Sequence, residues 1–398
     1  MKKLLFVAMF AALSVSAVAG PKGKNEKTPE KEGYVFTEVS RVAATPVKNQ
    51  ASSGTCWAYS TLSFLESEIL RVSGKEVDLS EMFVAAHTYS DRAEKYVRLH
   101  GRLEFGPGSG FGSALAIIKK YGLVPQESFE GLNYGTKLNK HGELNAILTA
   151  YVQTVVKNPN KELSTAWKRG FDAVVAAYFG EYPKDIDAKA WFDGLGLNLD
   201  DYVSLTSWTH HPFYTSFPVE VQDNWTWSQS YNLPIDEFMA VIDSALDNGY
   251  SIGWGSDVSE KGFNRKGLGV YPDYAKIVDQ MPELEGSDQM RWVGSNIAPD
   301  KAYDKALEAP CAQKVVTQEE RQAEFDNYNS TDDHGMHIIG KAKDQKGNPY
   351  YIVKNSWGPT GEYKGYWYVT PEFVRAKTMD ILINKNAIPA NIKAKLGL

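Results

Sequence analysis

Cys56 stands where a cysteine can act as a nucleophile. It follows Gln50-Ala51-Ser52-Ser53-Gly54-Thr55 and opens a run in which Ala58, Leu62, Leu65 and Ile69 recur at helical spacing. A cysteine that begins a helix feels the positive end of the macrodipole, which favours the thiolate. A free thiol of pKa ~8.5 is only a few per cent ionised at neutral pH, so a shift well below 7 increases the nucleophile roughly thirty-fold. Such a group suits acyl transfer if a histidine can move the proton and a third residue can orient that histidine. Two later stretches offer them: Asp332-Asp333-His334-Gly335-Met336-His337 and Asn355-Ser356-Trp357-Gly358. Strand-like runs at Met336 to Ile339 and Tyr350 to Val353, joined by the turn-rich Asp344 to Asn348, would bring His334 beside Asn355. An asparagine there holds the imidazole without adding charge, and Trp357 could shield the bond from water.

Other readings of these residues stay open. Cys56 could pair with Cys311, although Cys311 lies in a Lys/Glu-flanked segment without a motif and reads as a plain free thiol. His337 is three residues beyond His334, so on a strand it points to the opposite face. His210 and His211 are adjacent and should diverge, which makes them packing or surface residues; no metal site is predicted. Asp332 and Asp333, two acids before a strand, read as solvated and outside the reacting set.

The elements that must position these groups fit an ordinary globular protein. The 398 residues are 43% hydrophobic and 12% aromatic, which excludes disordered and low-complexity classes. With 43 basic against 49 acidic residues and a net charge of −6, the chain is a poor match to a polyanion and no nucleic-acid partner is expected. Residues 1–19 read as a signal peptide: Lys2 and Lys3, the apolar Leu4 to Leu13, then Ala17-Val18-Ala19. That run is shorter than the roughly 18 apolar residues a membrane span needs, so no stable anchor is expected and the protein should be exported, periplasmic or extracellular. Residues 20–33 form a mobile leader, 34–135 a helical lobe carrying Cys56, 136–230 an insertion packed on the body, and 231–398 a β-rich lobe carrying His334 and Asn355. Early helices and late strands give an α+β architecture.

At Gln50, Cys56-Trp57, Asp333-His334 and Asn355-Ser356-Trp357-Gly358 the chain resembles the papain-like cysteine peptidases. The Ser52-Ser53-Gly54-Thr55-Cys56-Trp57 form, Tyr231-Asn232-Leu233-Pro234 and Gly253-Trp254-Gly255-Ser256-Asp257-Val258 are similar to the bleomycin hydrolase or aminopeptidase C branch. The resemblance implies a two-lobe fold with a largely helical insertion, peptide substrates and no cofactor. An oligomer would follow from it too, a hexamer in that branch. It implies Cys56 as nucleophile, His334 as general base and acid, Asn355 as its orienter, and Gln50 with the Cys56 N–H as the oxyanion hole. Gly108 and Ser109 fall where the family has a Gly-Gly pair that meets the substrate backbone, and Trp357 borders the same cleft. The second glycine is here a serine. Cys56 and His334 are 278 residues apart, about twice the usual interval, which fits the insertion. The chain stops at Leu398 soon after the last similar segment, so the C-terminal arm that restricts that branch to free N-termini is expected to be lacking. Two alternatives keep the fold: a non-catalytic peptide-binding protein, or a thiol acyltransferase.

Overall fold

The computed structural model describes residues 33–278 and 303–398. The expected signal peptide lies outside them, as does the leader up to residue 32. No helix among the described residues is long and apolar enough to cross a membrane.

Helix α1 (Cys56–Ser73) is buried on every side through Ile69. Its apolar stripe, Ala58, Leu62, Leu65 and Ile69, is fully buried, as the spacing predicts. The opposite side carries Ser63, Glu66 and Ser67 into the interior too. Buried polar groups need partners, and other parts of the chain supply them for Ser63, Glu66 and Glu68, though not for Ser67 Oγ. Glu66 accepts from Lys48 Nζ and the Leu79 N–H, both at 3.0 Å. Ser63 Oγ takes Lys354 Nζ at 2.8 Å, and Glu68 takes Asn384 Nδ2 at 2.8 Å. The helix stops at Gly74, whose left-handed φ of 69° lets its N–H return to the Leu70 carbonyl.

Helices α2 (Glu81–Arg98) and α3 (Phe111–Tyr121) pack on α1. Ser80 caps α2 by accepting the Phe83 N–H at 3.1 Å. Helices α4 (Gly142–Val156) and α5 (Ala166–Phe179) lay Leu144, Leu148, Phe171 and Val175 against Tyr89 and Ala93 of α2. A short α6 (Ala188–Asp193) follows. Each large apolar side chain buried in this way contributes roughly 1.5–3 kcal/mol.

One sheet collects all the strands of the described residues: β1 (Thr37–Arg41), β2 (Tyr202–Thr206), β3 (Ser216–Pro218), β4 (Gln229–Asn232), β5 (Ile252–Ser256), β6 (Phe263–Asn264), β7 (Leu268–Gly269), β8 (His334–Lys343), β9 (Pro349–Lys354), β10 (Tyr366–Val369) and β11 (Thr378–Asn384). Their order is β3-β4-β2-β11-β5-β8-β9-β10-β7-β6, with β1 added on β8. The 136–230 segment thus holds strands as well as helices: β2, β3 and β4 extend the sheet beyond β11. They are three to five residues long and interrupted by Pro212 and Pro218, too short to leave a two-residue period in the sequence. Helix α7 (Ile235–Asp247) covers the sheet with Phe238, Ile242 and Leu246 against Trp254, Ile338 and Ile381. Helices α8 (Tyr274–Val278), α9 (Gln318–Asp326), α10 (Pro371–Lys377) and α11 (Ala390–Leu396) complete the α+β fold.

Strand β8 lies directly against the first turn of α1. A Cβ on Gly335 would stand 2.6 Å from Ser60 Oγ and 3.3 Å from Trp57 Cα, so the two backbones meet where only hydrogen fits. Gly335→Ala should therefore cost about 1–3 kcal/mol through overpacking, and Ser60→Ala in the same chain should recover part of it. Thermal unfolding of the single and double variants checks this; equal losses in both would show that Ser60 is not the obstacle.

Candidate active site

Cys56 is the first residue of α1, and the loop before it is tightly folded. Ala51 and Gly54 take positive φ values of 49° and 69°. The Ser53 N–H bonds the Gln50 carbonyl at 3.2 Å, and the Ser53 and Thr55 hydroxyls lie 2.5 Å apart. Thr55, the residue before the helix, makes no side-chain cap. The backbone N–H groups of Gly335 and Trp57 reach the Cys56 sulfur, and both favour its ionised form.

His334 begins β8 and is 6% exposed. Its Nε2 lies 2.8 Å from Asn355 Oδ1. The Ser356 N–H donates to the same oxygen at 2.7 Å, which fixes that atom as the acceptor. His334 Nε2 must then be the donor, and Nδ1 is the ring atom free to accept a proton. The Trp357 ring stacks on the imidazole at 4.9 Å between centroids, tilted by 29°. Gln50 joins this group from the cysteine side. Its N–H donates to the Ser356 carbonyl at 2.8 Å, and its Oε1 accepts the Ser356 hydroxyl at 2.6 Å, which turns the amide nitrogen away from Ser356. Cys56 and His334 border one cavity. His337 is held in the interior by Ser63 Oγ at 2.9 Å and does not border that cavity.

The electrostatics differ from what a helix N-terminus alone would dictate. Burial pushes the Cys56 thiol up to about 12, opposed by the Gly335 and Trp57 N–H groups and reinforced by Asp223 and Asp332. Burial also drives His334 down to about 4, against the Asn355 bond and the Asp333 charge. Both groups thus favour their neutral forms rather than the expected thiolate.

Asp332, set aside as solvated, borders the cavity and is pushed well above the carboxylate range, first by burial and then by Asp223, Asp380 and Asp333. Asp333 borders the cavity too, and it accepts the Val258 and Ser259 N–H groups at 3.3 and 3.1 Å. Asp223 and Asp380 also border the cavity, and burial raises each to about 6. The sequence reading missed these acids. Asp332 was visible two residues before His334, whereas Asp223 in an aromatic loop and Asp380 within β11 carried no signal.

Of the residues expected to meet substrate, Ser109 borders the cavity and accepts Trp225 Nε1 at 2.9 Å. Gly108 and Trp357 do not border it. Gly108 faces Asp223, whose carboxylate oxygens lie 2.2 and 2.6 Å from where a Cβ would be.

His210 and His211 do not diverge. Their Nε2 atoms meet the two carboxylate oxygens of Glu220 at 2.9 and 2.8 Å, because the chain turns between them and Phe217 stacks on His211. The trio still does not suit a metal. Gln322 Oε1 accepts the Thr209 N–H, so its amide nitrogen donates to His210 Nδ1 at 3.0 Å. Neutral His210 must then carry its proton on Nε2, the atom a metal would need bare. Both cysteines are free thiols, and Cys311 contacts Gln313 rather than Cys56.

Residues 36–95 match the papain family cysteine proteases, and residues 308–397 match the peptidase C1-like family. Two separate stretches of the chain, one carrying Cys56 and the other His334 and Asn355, thus match papain-like peptidase families. It is 22% identical to aminopeptidase C of Streptococcus thermophilus, over 86% of this chain and 81% of that one. Aminopeptidase G of Lactobacillus delbrueckii subsp. lactis is 21% identical, over 91% and 85% respectively. Among solved structures, PepW from Lactobacillus rhamnosis superposes with a TM-score of 0.67 at 20% identity, covering 91% of this chain and 84% of its own. The α+β fold is thus of the papain-like kind, and the chain is a cysteine peptidase similar to aminopeptidases C, E and G.

The charge of Asp332 opposes ionisation of the Cys56 thiol, so Asp332→Asn should lower the thiol pKa. Alkylation of Cys56 by neutral iodoacetamide at pH 8 should accelerate several-fold in this variant. The difference should shrink as pH falls and Asp332 in the unaltered protein takes up its own proton. An unchanged rate at pH 8 would remove Asp332 from the thiol's surroundings.

Proposed function

We propose that this is an exported peptidase that cleaves peptide bonds through an acyl-enzyme on Cys56. The observation that carries the reading is the bond from His334 Nε2 to Asn355 Oδ1, which leaves Nδ1 bare on a histidine that shares its cavity with Cys56. As the sulfur attacks the substrate carbonyl, His334 Nδ1 takes the thiol proton. The carbonyl oxygen becomes an oxyanion, stabilised by the Gln50 amide nitrogen and the Cys56 N–H. Collapse of this adduct breaks the C–N bond, and His334 returns the proton to the departing amine. Water, deprotonated by the same nitrogen, then cleaves the thioester and restores the thiol. Trp357 stacked on His334 keeps water from the bond to Asn355. The names of the relatives, aminopeptidases C, E and G, support removal of N-terminal residues as the form of the reaction. Export is supported by residues 1–19.

Cys56→Ala should abolish hydrolysis, and a thiol-directed epoxide should label Cys56 in active protein; surviving hydrolysis would sink the reading. Gln50→Ala should slow turnover about 10²–10³-fold, as loss of an oxyanion donor does, while iodoacetamide still alkylates Cys56. Equal loss of both would contradict its oxyanion role. For export, fractionation should recover the protein outside the cytoplasm with Gly20 as its first residue; an intact Met1 form in the cytoplasm would exclude it.

A further inference from the structure

We propose that the cavity beside Cys56 holds a subsite for a substrate cation, an ammonium or guanidinium group, formed by Asp223, Asp332 and Asp380. The proposal rests on the peptidase reading and specifies which substrates that site selects.

The cavity that Cys56 and His334 border has Asp223, Asp332, Asp333 and Asp380 in its wall and neither lysine nor arginine, and of these Asp333 already accepts the Val258 and Ser259 N–H groups. Asp332 is half-buried and lines this cavity. Its carboxylate accepts no hydrogen bond among the described residues, so an acceptor is held unmatched within the cleft. Asp380 Oδ2 takes one bond, from Ser204 Oγ at 2.8 Å, and Ser204 is itself set by Ser230 at 2.7 Å. Oδ1 of Asp380 lies 2.7 Å from where a Cβ on Gly255 would be, so the glycine makes room for the carboxylate.

The nearest cation pairs only loosely, and with Asp223 alone. Arg92 Nη2 is 3.9 Å from Asp223 Oδ1, beyond hydrogen-bond range, and makes no hydrogen bond of its own. Arg92 is fully buried and spends its other nitrogens on the carbonyls of Glu104, Gly106 and Gly108. Burial raises all three acids, and Asp223 and Asp380 raise Asp332 further, while among the described residues neither Asp332 nor Asp380 has a cation in ion-pair range. A neutral peptide group cannot relieve that, whereas an ammonium brings three donors and a positive charge. Among the described residues, only His210, His211 and Glu220 converge as the ligands of one metal ion would, so the spacing here suits an organic cation. Val219, Val221 and Met379 line the same cavity and would cover the aliphatic part of such a group.

The cation could be the free N-terminus of a peptide or a Lys or Arg side chain, and the test separates them. Three short peptides are titrated calorimetrically into the Cys56→Ala protein, which binds without turnover. One has a free N-terminus and neutral side chains, one is acetylated with a lysine, and one is acetylated and neutral. At least one cationic peptide should bind tenfold or more tightly than the neutral one. Preference for the first assigns the subsite to the N-terminal ammonium, and preference for the second to a side chain. Asp332→Asn and Asp380→Asn should each weaken the preferred peptide at least fivefold and the neutral one less than twofold. Should either variant fail to fold, the salt dependence of the parent protein decides, since added salt must weaken the cationic peptide selectively. Equal binding of all three peptides, or a preference indifferent to salt and to both substitutions, overturns the proposal. Binding does not depend on chemistry. Cation binding without hydrolysis by the unaltered protein would therefore sink the peptidase reading alone, and hydrolysis without charge preference the subsite alone.

Discussion

The contact between Gly335 and the first turn of α1 is the constraint on which the rest of the arrangement depends. Cys56 stands at the start of a helix and His334 at the start of a strand, and they share a cavity because these two backbones touch. A strand that lies this close to a helix needs glycine at the crossing. It also needs a flat neighbour, and β5 provides one: Gly255 pairs with Gly335 and Ser256 with His334. A Cβ on Gly253 would come within 3.1 Å of Phe111, so α3 is seated by the same economy of side chains. Once β8 is placed, its antiparallel partner β9 carries Asn355 just past its end, and the next residue, Ser356, closes onto Gln50.

The cleft balances opposing electrostatic demands. The helix terminus and two backbone N–H groups pull the thiol toward ionisation, while burial and two carboxylates push it back. A peptidase could avoid the conflict by leaving acids out of the cleft. Their presence beside the sulfur means that a substrate able to neutralise them would also release the thiol from their influence. Affinity and nucleophilicity would then rise together, so a cationic substrate would gain in the chemical step as well as in binding.

Much of this was legible in the sequence. Gln50, Cys56, His334 and Asn355 could be singled out because each belongs to a short local pattern, and the helices at α1, α5 and α7 because their apolar periods run for several turns. The polar side of α1 was not legible. Ser63 and Glu66 look like solvent-facing residues until Lys354 and Lys48, distant in sequence, are seen to meet them. Asp223 and Asp380 were hidden for the same reason: a residue that acts through a cavity wall declares itself only when the wall is assembled. The convergence of His210 and His211 was lost to an assumption of extended backbone that the loop does not obey.

The interval of 278 residues from Cys56 to His334 also sets an order in time. At about 5–20 residues per second, a ribosome would expose the thiol on the order of tens of seconds before the imidazole. In that interval β8 does not yet exist to close the far wall, and α1 has only part of its burial. The sulfur is then an ordinary surface thiol without base, orienter or substrate cleft. A fragment ending before His334 would lack the base, and one ending before Asn355 would lack the residue that orients it.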